Sequence, residues 1–243
     1  MRRALPKLIP IRVANTLPGR VARRLIPGME IDFGPLNGQS GRQALIVALL
    51  RSASVEVVFE TGTYVGSSTL LFARHFSGPI HSVEANPDYL RIARRRTAGA
   101  TNVTLREGDS RDALRSWAAE DGLAGKRALF YLDAHWHEDL PLAEELELIA
   151  RKWEDPIVVV DDFEVPGDPV YEFDDHGPGK RLSLDYIPAG LRSLWVPLFP
   201  SLRGSQEDGC RRGCVVLVPV RQASSLTELL PALPASWPAG SQD

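Results

Sequence analysis

Acids and imidazoles gather where apolar runs end. In FYLDAHWHEDLP (Phe130 to Pro141), Asp133, His135, His137, Glu138 and Asp139 follow directly on the apolar run Ala128–Leu132. Asp161 and Asp162 close IVVVDD in the same way, and Glu60, Glu84 and Asp109 end VVFE, HSVE and LREGD. Carboxylates grouped at strand tips repel one another in a poorly solvated cleft unless a cation lies among them, which makes Asp133, Asp161 and Asp162 a candidate metal triad. Hard oxygen ligands suit magnesium, and calcium or manganese less well; the two histidines would instead suit zinc or iron. Without a metal, Asp161 or Asp162 would serve as a helix or turn cap. An imidazole titrates near neutrality, at about 6.5 when unperturbed, so His135 or His137 could take a proton from a hydroxyl. Each could equally be a cap or a packing contact beside Trp136.

These residues need elements to position them. From residue 41 the chain alternates helical and strand patterns: GRQALIVALLRSA with Ala44, Leu45, Ala48 and Leu49 on one side, then VEVVFETG, SSTLLFARHF, PIHSVEANP, DYLRIARRRTAG, NVTLREGDS, RDALRSWAAE, RALFYLDAH, LPLAEELELIARKW and DPIVVVDDF. Such alternation predicts βαβ units around a parallel sheet, and VVFE, with no polar alternation, fits a strand covered on both faces. Ser67 or Ser68 could cap the helix after the first strand. Two further strands, near Leu194–Leu198 and Cys214–Val220, would close the sheet, one of them antiparallel. The fold class expected is α/β, a doubly wound Rossmann-like sheet. Its expected limits are a basic arm and cap over residues 1–40, the main domain over 41–223 and a C-terminal tail over 224–243, a helix with a frayed end.

Ligands of open α/β sheets bind outside the carboxyl ends of the strands, at the point where strand order reverses. After the first strand the chain reads Glu60-Thr-Gly62-Thr-Tyr-Val-Gly66, which is not the GxGxxG of dinucleotide enzymes. Gly62 would let the backbone turn close to a ligand, and Gly66 would relieve crowding at the helix start. Glu84 could accept two hydrogen bonds from ribose hydroxyls, and Asp109 could face an adenine amine. Taken singly, Glu84 could as well cap the helix after NPD, and Asp109 the helix RDALRSW.

Bulk properties narrow the classes. The chain has 243 residues, 44% of them hydrophobic, and a net charge of −3, which argues against a dedicated nucleic-acid binder. It has no run of 18 apolar residues to span a membrane and no secretory leader, so a cytoplasmic protein is expected. The first 25 residues hold seven Lys/Arg and no acid, leaving 21 basic residues elsewhere against 31 acids. That arm could touch a membrane surface weakly, although no clean apolar stripe accompanies it. Cys210 and Cys214 read as a reduced pair without assigned function.

Together, ETGTYVGSST, HSVEANPDYLRIA, EGDSRDAL, FYLDAHW and IVVVDDFEVPG resemble the class I S-adenosylmethionine-dependent methyltransferases. Among these they look most like the metal-dependent O-methyltransferases of catechol, caffeoyl-CoA and macrolide-sugar type. The resemblance covers about residues 55–167, and the later segments YEFDDHGPGKRLSLDYI and GCRRGCVVL look like a bacterial group that includes natural-product tailoring enzymes. It implies S-adenosyl-L-methionine as cofactor. Glu60 and Gly62 would line its methionine end, with Thr63, Tyr64, Gly66, Ser68 and Asp133 also in contact. Glu84 would hold the ribose, Asp109 and Ser110 would address the adenine, and Gly38 to Arg42 would flank the cofactor. Asp133, Asp161 and Asp162 would coordinate Mg2+. The departure is at the base, where catechol enzymes place a Lys three residues after the metal-binding Asp and the sugar enzymes an Asp two residues after it. His135 matches the second spacing, and His137 the first only with an insertion.

The reaction expected is O-methylation of a small-molecule diol, sugar or catechol-like hydroxyl. Tyr171, Asp175, His176 and Lys180 are candidate acceptor contacts. A homodimer is left open. Two rival readings remain: a metal-independent N- or C-methyltransferase, and a non-catalytic nucleoside-binding protein on the same fold.

Overall fold

The computed structural model describes residues 7–10, 29–135 and 139–238. His137, with Trp136, Glu138 and most of the basic arm, lies outside the described residues.

An eight-stranded sheet forms the centre. Its parallel strands are β3 (Val57–Thr61), β4 (Ile80–Glu84), β5 (Val103–Glu107), β6 (Ala128–Leu132) and β7 (Ile157–Asp161). Beyond them lie β8 (Trp195–Pro200), β9 (Cys214–Pro219) and β10 (Ala232–Pro234), in the spatial order β10-β8-β9-β7-β6-β3-β4-β5. β9 runs antiparallel to both β7 and β8, and β10 is antiparallel to β8. This is the mixed, doubly wound sheet expected from the alternation of patterns. The tail contributes more than a helix and a frayed end: after a helix at Ala223–Leu229, β10 bonds to the β8 edge. A separate parallel pair, β1 (Lys7–Pro10) with β2 (Met29–Asp32), precedes the main sheet.

Every residue of β3, β6 and β7 is buried, which explains their unbroken apolar runs. On one face Phe59 and Phe130 stack at 5.0 Å between ring centroids, with Trp153 4.9 Å from Phe130 and Trp117 5.0 Å from Phe59. The opposite face packs Val58, Leu129 and Tyr131 against Leu45, Ile46, Leu49 and Phe72. Period-two alternation divides the two cores, since adjacent strand residues point to opposite sides. At about 1.5–3 kcal/mol for each large apolar side chain buried, these layers hold the strand tips in fixed register.

The helices are α1 (Ser40–Ser52), α2 (Ser67–His75), α3 (Pro87–Arg96), α4 (Ser110–Ala119), α5 (Leu142–Lys152) and α6 (Ala223–Leu229). α3 has the signals of its ends: Asn86 accepts the Asp88 amide at 2.9 Å, Pro87 opens the first turn, and Arg94–Arg96 fill the last. α1 buries Arg42, Leu45, Ile46, Leu49 and Leu50, an i, i+3, i+4, i+7, i+8 series. The inward stripe is therefore turned from the Ala44/Leu45/Ala48/Leu49 face expected, and an arginine stands on it. Cys210 and Cys214 form no disulfide. No helix among the described residues is long and apolar enough to cross a membrane.

Candidate functional site

The strand order reverses between β3 and β6, so their carboxyl ends border a crevice. The Asp133 amide donates to the Thr61 carbonyl at 2.9 Å, and the amides of Gly62 and Thr63 both donate to Val83 at 3.0 and 3.1 Å. Gly62 has φ +83°, and a Cβ there would overlap the Asp133 carbonyl. Its glycine is thus required by the backbone of the neighbouring strand tip, a tighter constraint than the ligand approach expected. Gly66, at φ +81°, caps α2 without a side-chain bond. Neither serine takes that cap: the Ser67 hydroxyl donates to Asp32 at 2.9 Å, and Ser68 Oγ accepts the Leu36 amide at 3.2 Å. Ser68 therefore anchors the segment before α1.

Acids stand at the carboxyl ends of β3, β4 and β5. Glu60, fully enclosed, accepts from Thr69 Oγ1 at 2.5 Å and Ser82 Oγ at 2.6 Å, and Ser82 in turn lies 2.6 Å from Thr63 Oγ1. Burial pushes its carboxyl up to about 7, against the pull of those two hydroxyls. Glu84 accepts the Tyr64 amide at 2.6 Å on one oxygen and the Asn86 amide at 2.8 Å on the other. Tyr64 packs edge-on to Tyr89 at 4.8 Å between centroids. Asp109 caps α4 through the Arg111 amide at 2.8 Å and also receives the Arg111 guanidinium at 2.7 Å, which holds its carboxyl low. Ser110 is buried beside it.

At the ends of β6 and β7 the expected carboxylate triad is not brought together. Asp161 is buried and ion-paired with Arg42; its second oxygen accepts the Tyr131 hydroxyl at 2.5 Å, and the Asp162 amide bonds the first at 2.7 Å. Asp162 follows the end of β7 with a left-handed backbone, φ +52°, and its carboxylate bonds Arg212 rather than Arg42. In place of Asp161 stands His135: ligand atoms of Asp133, His135 and Asp162 all lie within 4.8 Å of one another. His135 is 3% exposed, and neither ring nitrogen has a hydrogen-bond partner among the described residues. Its Nε2 is 3.8 Å from Asp133 Oδ1.

The charges follow from these neighbours. Burial lowers the His135 imidazole, with Asp162 the foremost opposing charge, so the ring is neutral near pH 7. Burial, then the charges of Asp161 and Asp162, push Asp133 well above the usual carboxylate range, although a side chain 31% exposed lets water temper the effect. Burial also opposes ionisation of Asp162, but the Arg212 guanidinium outweighs it and holds that carboxyl low. Arg212 donates from Nε to Asp162 at 2.7 Å and from Nη2 to Asp174. His176 Nε2 lies 3.6 Å from Asp174, while Tyr171 is buried with its hydroxyl on the Leu202 carbonyl at 3.0 Å. Asp175 accepts the Gly177 amide at 3.0 Å, and Lys180 is exposed.

The segment Gly38 to Arg42, expected to flank the cofactor, builds the site together with Arg212, Glu207 and Asp208, which the sequence did not single out. Arg42 donates to Asp161 and to the carbonyls of Arg212 and Gly213, and Gln39 exchanges two bonds with the Arg212 backbone at 2.8 and 3.0 Å. Glu207 and Asp208 accept the first amides of α1, Gly41 at 3.0 Å and Ser40 at 2.6 Å, a favourable place for negative charge. Residues 39–42 therefore hold the loop that carries Arg212 into the crevice. The sequence signal for this segment was the resemblance that set Gly38 to Arg42 beside the cofactor; the burial of Arg42 among Leu45, Ile46 and Leu49 is seen only in the structure. Glu145, on the first turn of α5, is enclosed without a hydrogen bond of ordinary geometry; burial lifts its carboxyl to about 7.

The same arrangement of strands and helices occurs in solved proteins. An O-methyltransferase from Bacillus cereus, solved with S-adenosylhomocysteine, superposes with a TM-score of 0.54 at 20% identity, over 86% of this chain and 99% of that one. TomG from Streptomyces achromogenes, an O-methyltransferase of tomaymycin synthesis solved with S-adenosylmethionine, gives 0.53 at 18% identity, over 86% and 89% of the two chains. This is the class I methyltransferase fold. At such identities the likeness is one of fold, and the strand order places the crevice between β3 and β6 at its switch point. No family model matches the chain.

Proposed function

We propose that the protein is an S-adenosylmethionine-dependent methyltransferase that transfers the methyl group to a hydroxyl of a small-molecule acceptor. The observation that carries this reading is the joint placement of Glu60, Gly62, Glu84 and Asp109 around one crevice of a methyltransferase fold, with Asp133, His135 and Asp162 at its other wall. Glu84, at the end of β4 with its two oxygens turned to the Tyr64 and Asn86 amides, would receive the ribose hydroxyls. Asp109 and Ser110 stand at the end of β5, where the adenine would lie. Gly62 keeps the tips of β3 and β6 close enough for the methionine end to face Asp133.

When bound, the cofactor supplies a sulfonium methyl. The acceptor O–H gives its proton to a base at the crevice, an oxygen lone pair forms the C–O bond, and the C–S bond breaks, leaving a methyl ether and S-adenosylhomocysteine. Holding both reactants in line supplies much of the rate, because a bimolecular displacement becomes effectively unimolecular. Of the three carboxylates that the resemblance implies, Asp161 already accepts from Arg42, Tyr131 and the Asp162 amide and is not among the groups that converge within 4.8 Å. Asp133, His135 and Asp162 do fit a divalent cation, which would supply Lewis acidity toward the hydroxyl.

Calorimetric titration with S-adenosylhomocysteine tests the proposal. Saturable binding is expected. Glu84→Gln should weaken it by roughly 10- to 100-fold, the equivalent of about 1.5–3 kcal/mol for hydrogen bonds to a charged acceptor. Absence of binding heat with folded protein refutes the methyltransferase reading.

A further inference from the structure

We infer that His135 is a metal ligand and that the crevice selects a first-row transition ion such as Mn2+ or Zn2+ over Mg2+. The inference rests on reading the crevice as the methyl-transfer site and assigns the ion and its ligands there.

Buried polar groups are almost always hydrogen-bonded, and one left unpaired calls for an explanation. His135 is 3% exposed with both ring nitrogens unpartnered among the described residues, in the middle of carboxylates that could have bonded it. Asp133 Oδ1 is the nearest, at 3.8 Å from Nε2, too long for a hydrogen bond. An imidazole and carboxylates that approach within 4.8 Å without bonding leave the spacing of ligands around an ion. Charge points the same way. Arg42 balances Asp161, and Arg212 is shared by Asp162 and Asp174, but among the described residues no lysine or arginine pairs with Asp133.

The donor set then chooses the ion. Magnesium demands near-octahedral oxygen ligation, and the groups that converge here are two carboxylates beside a nitrogen. Imidazole nitrogen favours the later divalent ions, and affinity at mixed sites rises from manganese toward zinc. Ligation by His135 removes it from the role of free base expected from its spacing and leaves proton removal to a group outside the three ligands.

The test is electron spin echo spectroscopy of Mn2+ added to the full chain. Uptake of one ion with nitrogen modulation from a bound imidazole is expected. His135→Asn should abolish that modulation and weaken Mn2+ binding at least about tenfold. Mg2+ should displace Mn2+ only at about tenfold excess or more. Asp161→Asn, if it folds, should keep the nitrogen signal. Mn2+ bound without nitrogen modulation, or a signal that survives His135→Asn, overturns the assignment. So does the absence of uptake, which would leave Arg42 and Arg212 as the balancing charges. S-adenosylhomocysteine titration of the same sample separates the two proposals: binding without metal uptake refutes only this one, and no binding refutes the function.

Discussion

Arg42→Met offers the sharpest test of how the crevice is built. The Arg42 and Asp161 side chains are 1% and 3% exposed, and the guanidinium also serves the carbonyls of Arg212 and Gly213. Methionine can fill the space of the stem, but it leaves a buried carboxylate without its countercharge and two carbonyls without donors. Removing one partner of a buried ion pair costs about 3–5 kcal/mol. The Tyr131 hydroxyl at 2.5 Å and the Asp162 amide at 2.7 Å still hold Asp161, which lowers the cost, while the orphaned carbonyls raise it. A loss of about 4 kcal/mol is the resulting expectation, a large share of the roughly 5–15 kcal/mol that holds most domains together. In urea, with a slope of about 3 kcal/mol per molar for a chain of this size, the midpoint should fall by about 1.3 M. In the variant Asp161 has burial raising its pKa and no Arg42 opposing it, so the native state binds more protons than the unfolded chain. The deficit should therefore grow as pH rises above the unfolded carboxylate value of about 4 and shrink on acidification. Adding Asp161→Asn should recover at least about half of the loss, because the uncompensated charge goes with it. A loss under about 1 kcal/mol, or a double variant no better than the single one, would refute the view that this pair is a buried lock.

Two further outcomes follow from the other wall. Glu60 has a folded value of about 7 against 4.5 when free, so wild-type stability should fall as pH rises from about 4.5 to 7; Glu60→Gln should flatten that slope, worth up to about 3 kcal/mol, in urea melts across the range. An unchanged slope would show that another group titrates there. Gly62→Ala should lower stability by more than about 2 kcal/mol and weaken S-adenosylhomocysteine binding, since the left-handed backbone costs an alanine about 1–2 kcal/mol before its Cβ meets the Asp133 carbonyl. Wild-type stability in this variant would mean that the strand tips can part freely.

The alternation of strands and helices, the parallel centre of the sheet and the acids at its carboxyl edge are legible in the amino-acid pattern. Those follow from short-range chemistry: unbroken apolar runs fit strands covered on both faces, and Asn86, Asp109 and the Arg94–Arg96 turn mark helix ends locally. Only the tertiary structure decided which acids share a site. Asp161 and Asp162 are adjacent in sequence yet bond different arginines, one 119 positions away and the other, Arg212, 50 positions on. His135 joins Asp133 and Asp162 in one cluster, and the cap of α1 comes from Glu207 and Asp208 on a loop near the other end of the chain. Local pattern sets where a side chain is carried. The partner that neutralises a buried charge is chosen in three dimensions, because desolvation makes that pairing obligatory at whatever sequence distance it occurs.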